Sequence, residues 1–199
     1  MCKVISIVNQ KGGCSKTTSA VNIGIGLANA GKKVVLIDAD AQGSLTASLG
    51  FQKPDELKVT LATIMAKTIN EEEIDLSEVI LHHEEGVDLV PGNIELSGLE
   101  VQLSNVLSRE LILKEFVDSL KDSYDYILID CAPSLGMMTI NALVAADEVI
   151  IPVQAAYLPV KGLQQLMKTI NMVKRRLHTK WKILLILYVR VCSPSAPLQ

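Results

Sequence analysis

The sequence predicts an α/β fold, a doubly wound and mostly parallel sheet with helices on both faces, and three observations predict it. Short β-branched runs alternate along most of the 199 residues with segments whose apolar positions recur at helical spacing. The stretch up to Asp38 already holds strand, loop, helix and strand, a crossover unit that makes its two strands parallel. Apolar residues make up 49% of the chain and aromatic ones only 4%. Aliphatic side chains must therefore fill the core, as suits a parallel sheet covered on both faces.

The elements follow in order. The run 3–8 is a strand that leads into the glycine-containing loop at 9–13. From Lys16, apolar residues at Ala20, Ile23, Leu27 and Ala28 mark a helix, and Gly31 just beyond suits its C-cap. Residues 33–38 form the second strand. The stretch 43–105 is the hardest to read, with a helical pattern at 60–67, an acidic run at 71–75 and a strand at 87–90 ahead of Pro91-Gly92. A helix is expected over 108–120 with Ser108 as N-cap and Glu110 in its first turn. Then come a strand at 126–129, a helix at 137–146, a strand at 148–152 and a helix at 161–177. The aliphatic stretch 182–191 reads as a final strand. No repeat, low-complexity segment or linker divides the chain, so one domain over 1–199 is expected.

Composition excludes several classes. The longest aliphatic run, 183–189, is far short of the roughly 20 residues that a bilayer crossing needs, and the N-terminus carries no signal-peptide pattern. A cytoplasmic protein without a membrane span is expected. Cys2, Cys14, Cys131 and Cys192 show no paired spacing, which argues against a disulfide framework, a zinc site or an iron–sulfur cluster. The formal net charge is −3, yet Lys168, Lys174, Arg175, Arg176, His178, Lys180 and Lys182 crowd into one short stretch. That cluster reads either as a solvated helix end or as a surface that faces DNA.

The chemistry is concentrated in Gln10-Lys-Gly-Gly-Cys-Ser-Lys-Thr-Thr18, between the first strand and the first helix. A phosphate-binding loop needs backbone N–H groups turned inward, a lysine that reaches the outer phosphates and a hydroxyl for Mg²⁺ at the helix start. Gly12 and Gly13, Lys16 and Thr17 supply these. Asp130 follows three apolar residues at a strand end, where open α/β sheets bind ligands, and a carboxylate there can hold Mg²⁺ through water. Asp38 and Asp40 alternate at the end of the second strand, so strand pleating is expected to point their side chains to opposite sides, with only one facing the phosphates.

The loop departs from the common GxxxxGK[ST] pattern, because Gln10 and Ser15 occupy its two glycine positions. It resembles instead the deviant Walker-A family of P-loop ATPases, the ParA/Soj/MinD group, whose loop reads KGGxGKT[TS] with an additional signature lysine, matched by Lys11. Residues 37–43 (Ile-Asp-Ala-Asp-Ala-Gln-Gly) resemble its DxDPQG switch segment, and 127–136 (Ile-Leu-Ile-Asp-Cys-Ala-Pro-Ser-Leu-Gly) resemble its Walker B, hhhDxxPxxG. The likeness is closest to ParA-type partitioning ATPases and covers the chain to about residue 177.

The resemblance implies ATP or ADP held by Lys11, Gly12, Gly13, Cys14, Ser15, Lys16, Thr17 and Thr18. It implies Mg²⁺ held by Thr17, by Asp130 through water and by Asp40, and catalysis by Lys11, Lys16 and a water-orienting Asp40. It further implies an ATP-dependent homodimer in which Lys11 reaches the partner's phosphates, and a ParB-like centromere-binding partner. Non-specific DNA binding would fall on Lys174, Arg175, Arg176, Lys180 and Lys182, in a nucleoid-associated protein. Two departures are expected to slow turnover. A serine at position 15 costs roughly 1–2 kcal/mol if that position is left-handed, and the stretch from about 183 resembles nothing in the family. Ala41 in place of the family's proline loosens the switch segment. Cys14 reads as a small hydrophobe that fills space. The alternatives are a nucleotide-binding regulator with impaired hydrolysis and a MinD-like membrane-cycling ATPase, against which Pro194 and Pro197 argue.

Overall fold

The computed structural model describes residues 1–154, 159–177 and 182–189. The elements run β1 (Lys3–Ile7), α1 (Lys16–Asn29), β2 (Val34–Ala39), α2 (Ser44–Ser48), a 3-10 turn (Pro54–Glu56), α3 (Leu61–Ile69), α4 (Leu76–Val79), β3 (Leu81–His82) and β4 (Asp88–Val90). They continue through α5 (Glu95–Leu103), α6 (Ile112–Leu120), β5 (Tyr126–Cys131), α7 (Met137–Ala145), β6 (Glu148–Gln154), α8 (Pro159–Arg176) and β7 (Lys182–Val189).

These strands form one seven-stranded sheet in the order β3-β4-β2-β5-β1-β6-β7. All pairings are parallel except that of the edge strand β3 with β4. Alternation along each strand divides the core between two faces. Ile5, Ile7, Val34, Leu36 and Leu128 pack with α1 and α2, whereas Val4, Val35, Ile37, Ile127 and Ile129 pack with α3, α5, α6, α7 and α8. The expected doubly wound architecture is therefore present, and its P-loop NTPase character is set by the strand–loop–helix entry β1–α1. Helix α1 lies close against β2: a Cβ at Gly24 would come within 2.7 Å of the Leu36 side chain.

The long strands end together. In register, Ile7 pairs with Asp130 and Asp38 pairs with Asp130. The 8–15 loop, the 40–43 turn and the 132–136 loop thus emerge side by side from one edge of the sheet, where ligands bind in such folds.

One sequence expectation is corrected. Ser108 is not the N-cap of α6: it lies three residues before the cap position, at φ 52°, and Leu111 takes that position. The reason is a tertiary contact. Asn141 on α7 accepts the Leu113 N–H through Oδ1 at 3.1 Å, and its Nδ2 donates to the Arg109 carbonyl at 2.8 Å. A side chain from another helix thereby caps α6, and no local residue is needed.

Candidate functional site

The loop between β1 and α1 is built from its own backbone. Gly13 (φ 69°) and Ser15 (φ 65°, ψ 32°) both adopt the left-handed conformation, which curls the chain so that α1 starts at Lys16. Such successive turns face N–H groups to one side and form an anion-binding concavity. Among the described residues the space above it is open, since a Cβ added at Gly12 or Gly13 would meet none of their atoms within 4 Å. The Cys14 thiol is buried and donates to the Lys11 carbonyl at 3.1 Å, and burial pushes its pKa up. It packs as a small hydrophobe, as expected. Lys16 is only 7% exposed, while Lys11 and Thr18 are exposed and Thr17 is half-buried.

Beneath the loop lie the carboxylates. Thr17 Oγ1 donates to Asp130 Oδ2 at 2.6 Å. The other oxygen, Asp130 Oδ1, is buried with no hydrogen-bond partner among the described residues. Burial pushes the Asp130 pKa up to about 7; the Thr17 bond and the Lys16 charge oppose the rise, and the Asp38 and Asp40 carboxylates add to it. A buried carboxylate left half-satisfied is costly unless a cation joins it. Thr17 and Asp130 offer the hard oxygen donors that Mg²⁺ prefers, and Mg²⁺ keeps most of its shell as water and phosphate. No group of three His, Cys, Asp or Glu that could hold a metal exists among the described residues. The donor set fits a cation completed by a bound nucleotide, not an all-protein cage.

Asp38 and Asp40 do diverge, for a reason other than pleat alternation. Residues two apart on one strand share a face, but β2 ends at Ala39 and Asp40 already belongs to the turn. Asp38 is fully buried and accepts from the Thr46 N–H at 2.8 Å and the Thr46 hydroxyl at 2.7 Å. Its pKa is pushed up to about 6 by burial, with the Thr46 bonds opposing. Asp40 is half-exposed and accepts the Gln42 N–H at 3.0 Å. It is the more exposed member of the pair.

A family model described as an AAA domain, AAA_31, matches residues 2–183. The chain belongs to that family. It is 43% identical over 180 residues to the sporulation initiation inhibitor protein Soj of Bacillus subtilis, with 90% of this chain and 69% of the relative covered. It is 42% identical to the chromosome-partitioning ATPase Soj of Treponema pallidum, covering 92% of this chain and 69% of that one. Among solved structures it is similar to cobyrinic acid a,c-diamide synthase from Mycobacterium smegmatis with bound ADP and magnesium. That likeness has a TM-score of 0.87 and 38% identity, over 94% of this chain and 74% of that one. Across such curated relatives the chain spans 58–69% of their length.

Within this AAA domain the structure brings together the 11–18 loop, Asp130 and the Asp40 turn, but not the basic cluster. Lys174, Arg175 and Arg176 are exposed on the last turn of α8 and Lys182 is exposed at the start of β7. They sit at the edge where the parallel strands begin, away from the loop. Lys180 lies outside the described residues. Among the described residues no helix is long and apolar enough to cross a membrane.

Sequence reasoning missed Thr46. Its hydroxyl donates to Asp38 and accepts the Gly92 N–H at 3.0 Å, tying β2, α2 and the chain after β4 into one clasp. Gly92 is required there, because a Cβ would lie 2.3 Å from the Asp38 carbonyl. The signal available was the Pro91-Gly92 pair, without a hint of its partner. Asn9 was also missed, although it stands beside the loop.

Proposed function

We propose that this chain is a ParA-type partitioning ATPase that binds Mg²⁺–ATP on the 11–18 loop, hydrolyses it slowly and switches between monomer and dimer with nucleotide. The observation that carries the reading is the Thr17–Asp130 hydrogen bond, with the other Asp130 oxygen buried and unpartnered among the described residues, under a left-handed loop whose glycines meet no described neighbour. The kinship with Soj proteins, two of whose names state sporulation inhibition and chromosome partitioning, supports the biological role.

In this reading the loop N–H groups and Lys16 hold the phosphates, and Thr17 with Asp130 holds Mg²⁺. The metal supplies charge neutralisation at the transferred phosphoryl group. Asp40 orients the attacking water, and positioning of this kind suffices for phosphoryl transfer. Exposed Lys11 reaches the phosphates of a second copy across a two-fold axis. Lys174, Arg175, Arg176 and Lys182 contact DNA phosphates without sequence preference, and a ParB-like protein stimulates turnover. The left-handed Ser15 favours one second reading, a regulator that binds ATP without hydrolysing it.

Turnover and mass test the reading together. Wild-type protein is expected to hydrolyse ATP slowly and faster with duplex DNA and partner. Asp40→Ala should bind ATP, lose hydrolysis by at least about tenfold and double in mass by light scattering when ATP is added. Normal turnover of Asp40→Ala removes the role given to that carboxylate. Wild-type binding with no turnover favours the regulator.

A further inference from the structure

We infer that Asn9 is a positioning residue for the nucleotide loop, tying the backbone of Lys11 to the end of β6. The inference rests on the reading of 11–18 as that loop. Asn9 is only 8% exposed, and both ends of its carboxamide are used. Its Oδ1 accepts the Lys11 N–H at 3.0 Å, and its Nδ2 donates to the Pro152 carbonyl at 2.5 Å.

The placement explains why a carboxamide stands there. The last backbone rung between β1 and β6 is the bond from Val8 N–H to the Ile150 carbonyl at 3.0 Å. Beyond Val8 the chain leaves the sheet to form the loop, while β6 continues past Pro152 to Gln154. The next β6 carbonyl on the β1 side, that of Pro152, would be left buried without a donor, a costly state. The Asn9 amide supplies that donor and extends the pairing by one rung after the backbone has departed. Its other end fixes the i+2 amide in an Asx turn, and that amide belongs to Lys11, the first residue of the loop. A buried side chain with one donor and one acceptor therefore sets where the loop begins relative to β6.

The chemistry of substitution makes this testable. Asn9→Asp keeps the acceptor for Lys11 N–H but, when ionised, sets a carboxylate against the Pro152 carbonyl. Once protonated, the same carboxyl can donate its O–H to Pro152 and still accept from Lys11, as the amide does. Asn9→Ala loses both contacts at every pH. Titration of the full chain with Mg²⁺ and a non-hydrolysed ATP analogue at pH 8 and pH 5.5 reads the difference. Asp38 and Asp130 titrate across the same range in all variants, so affinity is compared as the ratio to wild type at each pH.

Asn9→Asp is expected to bind about tenfold more weakly than wild type at pH 8, the scale of one charge-affected hydrogen bond, and to recover to within about threefold at pH 5.5. Asn9→Ala should be weakened at both. Equal affinity of Asn9→Asp and wild type at both pH values overturns the inference, as does a loss that tracks Asn9→Ala with no recovery at low pH. Should Asn9→Asp fail to fold at pH 8, Asn9→Ala decides. A loss of at least about fivefold, about one hydrogen bond, measured at a temperature where circular dichroism shows Asn9→Ala fully folded upholds the inference, and wild-type affinity overturns it. Lys16→Ala separates the two levels. If wild type binds, Lys16→Ala does not and both Asn9 variants bind as wild type, only the role of Asn9 falls. Analogue binding that survives Lys16→Ala removes the nucleotide reading and the inference with it.

Discussion

Ser15 carries an L side chain at φ 65°, a left-handed conformation that favours glycine. The left-handed conformation costs roughly 1–2 kcal/mol for such a residue, offset in part by the larger unfolded-state entropy that glycine would bring. Ser15→Gly should therefore raise stability by about 0.5–1 kcal/mol in urea unfolding, and should not slow ATP turnover. A destabilised Ser15→Gly protein would mean that the serine hydroxyl does more than occupy the turn. The carboxylates below give a pH dependence. Burial raises the folded pKa of Asp130 to about 7 and of Asp38 to about 6, well above the unfolded value near 4. Groups with raised folded pKa contribute stability that is full below the unfolded value and lost as pH rises through the folded one. Nucleotide-free protein should accordingly lose stability from about pH 4 to about pH 8 through these two groups. Asp130→Asn should flatten that slope and abolish the stabilisation that Mg²⁺–ATP gives at pH 8. Thermal unfolding across pH checks both, and an unchanged slope in Asp130→Asn would contradict the burial account.

At the scale of elements, the clasp of Asp38, Thr46 and Gly92 holds the switch segment. Thr46→Val keeps shape but removes a donor to a buried carboxylate and the acceptor of the Gly92 N–H. It should destabilise by roughly 1–3 kcal/mol in urea unfolding, and a change within error would show that Asp38 finds other partners. This clasp also shows what the sequence could and could not tell. The phosphate loop was legible because its conformation is local: glycine and serine turns, a strand before and a helix after. The strand-end position of Asp130 was legible for the same reason. The fate of Asp38 was not, since its partner lies eight residues on and is locked by a backbone N–H at Gly92. Ser108 failed as a cap because Asn141 of another helix took the task. Helix α5 was unread, as Gly98 interrupts its short run, and α2 has only five residues.

For the whole molecule, the parallel sheet separates two chemistries. Strand ends gather the phosphate loop, Asp130 and the Asp40 turn, whereas strand beginnings lie beside the exposed cations at the end of α8. The nucleotide and DNA contacts of the proposed function would therefore fall at opposite edges of the sheet. The proposed switching depends on the first of those sites. Calorimetric titration of Mg²⁺–ATP into the wild-type chain and Lys16→Ala tests it most directly. Wild type should show saturable binding that needs Mg²⁺, and Lys16→Ala should lose it by at least about a hundredfold, the scale of a buried charge-assisted contact. Equal affinity of the two proteins would contradict it.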